Sequence, residues 1–164
     1  MTEFQRLFLV QARSDFQVFE MFRKKTEWPA CHALHYLQMA TEKLGKAYAW
    51  KHGPRTNTHR AFVTFLRALR IDRQAQKRLG YEGKNAKWLG IVRKSVPLAE
   101  SIEDLAPSLS PDKPNPEYPW PRTEPRFAPV EHQFQVWQNL IGQRDGQEFL
   151  RLLERLFAAA DAFL

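Results

Sequence analysis

Hydrophobic and polar positions alternate along the first fifty residues with the period of an α-helix. Apolar side chains recur every three or four residues, at Phe4, Phe8, Ala12, Phe16, Phe19 and Phe22. Thr2 and Gln5 match a capping box, so the pattern predicts a first helix over about residues 4–25. A second run starts near Pro29 and ends in a basic turn, a glycine and a proline, which predicts a helix over about 29–52.

The same period continues through the middle of the chain. Asn57 or Thr58 is placed to cap a third helix, and Asp72 can then begin a short fourth one. A longer helix is predicted after Asn85, which is placed to cap it. Pro97 lies inside it and should kink or split it, because proline cannot donate the backbone hydrogen bond of a helix interior.

The last third of the chain changes character. Residues 106–130 hold eight of the eleven prolines, so we expect either an extended segment held to the body by its aromatic residues or a flexible excursion. Residues 131–141 suit an extended piece or a short helix, and Asp145, with Glu148 three residues later, is placed to cap a final helix. The pattern predicts an all-α protein, with residues 1–164 forming one bundle of about five helices that carries a proline-rich insertion.

Composition adds limits to this picture. A chain of 164 residues with 43% hydrophobic residues can bury one core, and Cys31 is the only cysteine, which excludes an intrachain disulfide and a cysteine-rich zinc site. The apolar runs are too short to span a bilayer and no secretory signal is evident, so we expect a cytoplasmic protein without membrane contact. No phosphate-binding glycine loop or good metal-ligand spacing occurs, so we expect no cofactor and no metal.

The net charge of +7 is distributed unevenly. Residues 51–94 carry twelve lysines and arginines against two carboxylates, whereas residues 95–164 carry six against eleven. A basic zone of this kind is typical of a surface that binds RNA or another polyanion. The candidate binding residues are Lys51, Arg55, His59, Arg60, Arg67, Arg70, Arg73, Lys77, Arg78, Lys84 and Lys87. The alternative is that these cations lie on solvated helix faces and are neutralised by carboxylates from the C-terminal part.

The helix predicted over 29–52 has a core side and a polar side. At about 100° per residue, the core side holds Leu34, Leu37, Thr41, Leu44 and Tyr48. The opposite side holds His32, His35, Gln38, Met39, Glu42, Lys43 and Lys46. This polar side is either plain solvent surface or one wall of an interface or of a nucleotide-facing groove.

The same helix carries a motif of the form Q-x-A-x-E-K-x-x-K-A, and a histidine opens the helix after it. The residues of the motif are Gln38, Ala40, Glu42, Lys43, Lys46, Ala47 and His59. This pattern resembles the second and third helices of the HEPN superfamily. The resemblance implies a small bundle of four or five helices that is commonly dimeric. Members bind nucleotides, act as inactive partners of nucleotidyltransferases, or are metal-independent endoribonucleases of toxin or defence systems.

The resemblance also implies where a catalytic pair would lie. The family signature is an arginine and a histidine separated by four to six residues, and Arg126 and His132 have five residues between them. In such a site the histidine transfers a proton and the arginine stabilises the charged phosphate of the transition state. The alternative is that Arg126 lies on a surface loop and His132 caps or lines the next element.

Three functions stay open at this point. The first is a module that binds RNA, another polyanion or a partner protein, as a homodimer or with a second chain. The second is a metal-independent endoribonuclease built on the same bundle. The third is a helical assembly protein that docks through its proline-rich segment, for which aromatic side chains are the expected anchors. Those anchors would be Tyr118, Trp120 and Trp137.

Overall fold

A computed structural model describes residues 1–50, 59–109, 111–121, 123–162 and 164. Its α-helices are α1 Glu3–Phe22, α2 Ala30–Ala49, α3 Ala61–Leu69, α4 Arg73–Arg78, α5 Asn85–Glu103, α6 Gln135–Gly142 and α7 Arg144–Ala159. Two 3-10 turns follow α5 and α7, at Pro129–Glu131 and Ala160–Ala162. The described residues contain no strand, so the all-α prediction is confirmed. The helices outnumber the predicted five because α4 and α6 are short, separate elements.

Two of the predicted helix starts are confirmed by their hydrogen bonds. The Thr2 hydroxyl accepts from the Gln5 backbone N–H at 3.2 Å, and the Gln5 side chain accepts from the Thr2 backbone N–H at 2.7 Å. The Asp72 carboxylate accepts from the backbone N–H groups of Gln74 and Ala75, both at 2.9 Å. Each side chain satisfies N–H groups that have no partner within the first helical turn.

Other predicted helix starts are wrong by one or two residues. Lys84 precedes α5 and Gln143 precedes α7, in place of the predicted caps Asn85 and Asp145, and neither flanking side chain makes a capping bond. The predicted caps at 57 and 58 lie outside the described residues. Pro97 does not split α5, which continues to its end at Glu103. Because Pro97 is exposed, water can bond the carbonyl that loses its N–H partner.

The helices pack in chain order around one apolar core. Helix α1 lies along α2, α2 contacts α3, α3 contacts α5, and α7 closes the bundle against α5 and α6. Fully buried aromatic residues fill the interior: Phe19, Phe62, Phe65, Trp88 and Phe149. Helices α2 and α3 approach closely at Gly45, where an added Cβ would lie 2.5 Å from the Phe62 backbone nitrogen. This crossing fixes the position of α3, which carries part of the basic zone.

The described part of the proline-rich segment lies against the body of the bundle. Asn115 is buried, and its side-chain oxygen accepts from the backbone N–H groups of Glu117 at 3.0 Å and Tyr118 at 2.8 Å. Trp120 is also buried and pairs with Phe127 in an isolated antiparallel bridge. An extended segment held by an aromatic side chain is therefore the alternative that fits the described part of residues 106–130. Among the described residues, none of the helices is both long and apolar enough to cross a bilayer.

Candidate nucleic-acid interface

None of the residues on the polar side of α2 is exposed and two of them are buried, which corrects the interpretation of this side as plain solvent surface. Gln38 is 3% and Glu42 is 8% exposed. The Gln38 side-chain amide donates to Glu42 Oε2 at 2.7 Å, and Lys46 Nζ donates to Glu42 Oε1. His59 Nδ1 lies 3.3 Å from Glu42 Oε2. Every carboxylate oxygen of Glu42 is thus occupied by groups of the same chain.

A second buried carboxylate lies at the start of α3. Glu103, at the end of α5, accepts from the backbone N–H groups of Phe62 at 2.9 Å and Val63 at 3.1 Å. These are N–H groups of the first turn of α3, which have no partner within the helix. The Arg60 guanidinium lies 3.8 Å from the other oxygen of Glu103, which makes no hydrogen bond among the described residues. Glu103 therefore connects α5 to the start of α3.

The two carboxylates differ in their pKa. Burial raises the pKa of Glu103 to about 7, because the backbone N–H groups and Arg60 only partly offset it and Glu42 adds repulsion. Burial also acts to raise the pKa of Glu42, but the hydrogen bond and charge of Lys46, together with His59, lower it overall. We call Gln38, Glu42, Lys46, His59 and Glu103 the buried polar network. Gln38, Lys46 and His59 contact the carboxylate of Glu42, whereas Glu103 accepts hydrogen bonds on one oxygen only, from backbone N–H groups of α3.

Part of the basic zone is also neutralised. Arg60 Nη2 lies 2.5 Å from Asp104 Oδ1, and Arg67 Nη2 lies 2.8 Å from Glu100 Oε1. Lys77 Nζ lies 3.0 Å from Glu82 Oε1. His59 belongs to the buried polar network. The predicted binding residues Lys51 and Arg55 lie outside the described residues.

Lys94 Nζ lies 2.7 Å from Asp145 Oδ1. The other described cations of the basic zone have no carboxylate partner in the described part of the chain. These six exposed cations are Arg70, Arg73, Arg78, Lys84, Lys87 and Arg93, and we call them the basic face. Arg93 belongs to the basic zone but is not one of the predicted binding residues. The zone therefore divides after folding into a neutralised part near the start of α3 and a part on α4, α5 and the end of α3 whose charge is uncompensated.

A groove between α3 and α5 adds shape to this charge. Its volume is 630 Å³, and the lining residues are Arg67, Arg70, Leu89, Val92, Arg93, Val96 and Pro97. Three guanidinium-bearing side chains thus surround an apolar floor, in which Val92 is buried and Leu89 is 36% exposed. Guanidinium groups bind phosphate in a bidentate geometry and also stack on planar rings. We call this feature the α3–α5 groove.

The predicted catalytic pair lies elsewhere. Arg126 is exposed, with its Nε 3.4 Å from Glu124 Oε1. The ring of His132 packs edge-on against Trp120 and Phe134, with centroid separations of 5.2 and 4.8 Å. His132 also lines a 420 Å³ cavity, which Arg126 does not line. A catalytic role for the two residues stays a prediction.

The predicted interface anchors differ in accessibility. Tyr118 is 60% exposed, whereas Trp120 is buried within its own chain and Trp137 is partly buried against the core. Tyr118 lines a 320 Å³ groove beside Glu42 and His59. Glu117 directly precedes Tyr118, and its Oε1 lies 3.5 Å from Nδ1 of His35 on α2. These contacts join the proline-rich segment to α2, and a docking role for the segment stays a prediction.

Two functional features were not anticipated from the sequence. Glu103 follows Trp88, Val92, Ser95 and Ala99 along the buried side of α5, so a carboxylate at core spacing was the available signal. Nothing in the sequence indicated Leu89, because its position in the α3–α5 groove depends on the neighbouring helix α3. The described residues contain no group of three or more His, Cys, Asp or Glu side chains arranged to hold a metal ion.

Comparisons with known proteins give no relative. No protein-family model matches the chain, and neither a curated protein nor a solved structure is detectably similar to it. The resemblance to the HEPN superfamily therefore depends on the motif residues of α2 and on His59, and it stays a prediction.

Proposed function

We propose that this chain is a HEPN-like helical module that binds RNA through its basic face. The observation that carries the proposal is the set of six exposed cations without a carboxylate partner among the described residues. Cations already paired within the chain gain little from a ligand, whereas free lysines and arginines release counterions from the phosphates that they contact. The uncompensated charge of this surface is what a phosphate backbone complements.

The arrangement of the basic face supports the same proposal. Arg70 and Arg73 are three residues apart at the junction of α3 and α4, and Arg93 lies across the α3–α5 groove from Arg70. RNA repeats its phosphates at short, regular intervals, so several of these cations can engage one strand. Carboxylates of the same chain already pair with several cations outside the basic face, which are Arg60, Arg67, Lys77 and Lys94.

The direct test is RNA binding as a function of salt. Fluorescence anisotropy with a labelled heteropolymeric RNA should show binding that weakens steeply between 50 and 200 mM salt. The variant R70Q/R73Q/R93Q should bind more weakly and should reduce the slope of log K against log salt by about 2, since each phosphate contact to a single strand contributes about 0.7.

A matched control removes the same charge from other helices. R6Q/R144Q/R151Q replaces three exposed arginines of α1 and α7, so its net charge equals that of the first variant. It should retain most of the wild-type slope. Equal losses in the two variants, or wild-type binding that ignores salt, would contradict the proposal.

The same samples test the predicted endoribonuclease role. RNA recovered after long incubation in EDTA can be analysed on a denaturing gel, with Arg126→Ala and His132→Ala beside the wild type. Cleavage that both variants abolish would establish the catalytic pair, and intact RNA with the wild-type protein would remove it. Neither result changes the binding measurement.

A further inference from the structure

We infer that the α3–α5 groove accepts an unpaired nucleotide, with its base on the apolar floor and the neighbouring phosphates at Arg70 and Arg93. The inference depends on the proposed RNA binding and specifies the form of RNA that the site accepts. Counterion release by the basic face would not by itself require an apolar floor. The groove supplies one, beside two cations that lack a carboxylate partner in the described chain.

The floor of the groove is held in place by the core. Val92 is 1% exposed, and Val96 packs against the core. The indole nitrogen of Trp88 donates to the Leu69 carbonyl at 3.2 Å, which joins the start of α5 to the end of α3. Leu89 and Pro97 also line the groove and add exposed apolar surface to this floor. A ligand therefore meets a preformed concave surface, which reduces the ordering cost of binding.

The shape favours an unpaired base over a duplex. In a duplex the bases are stacked and paired, so a protein meets mainly phosphates and sugars, which cannot enter an apolar recess. A single strand can turn one base outward, cover apolar side chains with its face and let an arginine plane stack on it. A groove of 630 Å³ flanked by Arg67, Arg70 and Arg93 offers both contacts.

The charge and the extent of the apolar surface favour a nucleotide over a partner helix. An amphipathic helix that docks in a groove places apolar anchors over two or more turns. Among the large hydrophobic residues described from α3 to α5, only Ile71 and Leu89 are exposed. The surroundings are otherwise basic, with Arg73, Lys84 and Lys87 exposed. One small apolar recess in a basic surface fits a planar base attached to phosphates.

The experiment tests the apolar floor of the groove and its flanking cations separately. A labelled ten-nucleotide RNA is titrated with the full chain as a single strand and as a duplex with its complement. Leu89→Ser should weaken single-strand binding about fivefold without changing the salt slope, because it removes apolar contact and no charge. Duplex binding should change by less than about twofold. Arg70→Gln should weaken both and lower each slope by about 0.7 to 0.9.

The matched control is Ile141→Ser, a similar change at a residue of α6 that is 45% exposed. It should leave both titrations unchanged, and thermal melts should confirm that all variants fold. If Leu89→Ser weakens both RNA forms equally, or neither, the inference is overturned while salt-dependent binding still supports the proposed function. If the wild type binds neither form, the proposed function fails and the inference with it. An acidic amphipathic peptide that loses binding in Leu89→Ser while RNA binding persists would assign the groove to a partner protein and overturn the inference.

Discussion

The buried polar network and the basic face both contain charged residues, and they differ in how many partners those residues have. In the network, Gln38, Lys46 and His59 surround the carboxylate of Glu42. On the basic face, six cations have no carboxylate partner among the described residues. Charge in the sequence is therefore a poor guide to binding until the folded partners are known. Satisfied charges hold the protein together, and unsatisfied ones are available to a ligand.

This difference predicts two separate responses to mutation. Changes in the network should alter the free energy of unfolding and leave RNA binding intact. Changes on the basic face should alter RNA binding and leave stability within about 0.5 kcal/mol, as is usual for exposed substitutions. A mutation that affected both properties strongly would show that the two regions are coupled.

The largest effect is expected at the helix crossing on which both regions depend. In Gly45→Ala the new Cβ would lie 2.5 Å from the Phe62 backbone nitrogen and closer still to the Ala61 carbonyl carbon. Helices α2 and α3 would have to separate, which should lower the free energy of unfolding by about 3 kcal/mol or more. Chemical denaturation followed by circular dichroism measures the change.

Gly90→Ala provides the control for that change. Gly90 lies in α5, and an added Cβ there would have no heavy atom within 4 Å. Alanine is the better helix former, so this substitution should stabilise the protein by up to about 1 kcal/mol. If both glycine variants behaved alike, close packing at Gly45 would not be the reason for its glycine.

The pH dependence of stability tests the network through Glu103. Its pKa is raised from 4.5 to about 7 in the folded protein, so the folded state binds more protons than the unfolded state between these values. Stability should therefore fall as pH rises from about 4.5 to 7, by about 2–3 kcal/mol from this group. Urea denaturation at a series of pH values measures the trend.

Glu103→Gln isolates this contribution. The glutamine carbonyl can still accept from the N–H groups of Phe62 and Val63, but the side chain no longer titrates. Its stability profile should be flatter than that of the wild type across the same pH window. Because the pKa of Glu42 is lowered, the stability due to Glu42 is lost only as pH falls below about 4.5, outside that window. Parallel profiles for the two proteins would count against a titrating Glu103.

A smaller loss of stability is expected when Glu42 loses its charge. Glu42→Gln leaves Lys46 without its carboxylate, and both side chains are more than four-fifths buried. The free energy of unfolding should fall by about 2 kcal/mol, less than for a fully buried pair because Lys46 can reach water. Glu82→Gln, which removes the partner of the exposed Lys77, should change it by less than about 0.5 kcal/mol. RNA affinity should be unchanged in Glu42→Gln, and a marked loss there would place the network inside the binding site.

Local signals in the sequence were sufficient for part of the fold. The capping residues Thr2 and Asp72 act on N–H groups within three positions, so their roles could be predicted directly. The start of α7 could not, because the Asp145 carboxylate accepts from Lys94 of α5 and Gly146 packs directly on Leu140 of α6, and both contacts are made between helices. Tertiary packing there prevails over the local cap at Asp145.

The candidate site was predictable only in its charge. The basic zone is visible in the sequence, but its division into paired and unpaired cations depends on Asp104, Glu100 and other carboxylates that are distant along the chain. Glu42 likewise lies beside His59 and lines one groove with residues of the proline-rich segment, all of them distant along the chain. Helical periodicity places a residue on one side of a helix and does not say what covers that side.

The smallest effect is expected when one cation that now has a carboxylate partner loses it. Arg67 lines the α3–α5 groove but shares its charge with Glu100, and the pair is solvent-exposed. In Glu100→Gln the arginine gains freedom to contact phosphate, so RNA affinity at low salt should rise about two- to threefold with a steeper salt slope. Stability should change by less than about 0.5 kcal/mol, because exposed ion pairs contribute little.

Glu148→Gln on α7 is the control for this change in charge. Glu148 lies 3.5 Å from Arg144, away from the groove, and its loss adds the same net charge to the protein. If the partner state of a cation governs RNA binding, only Glu100→Gln should steepen the salt dependence. Equal gains in the two variants would mean that net charge alone determines affinity, and the distinction between paired and unpaired cations would lose its functional meaning.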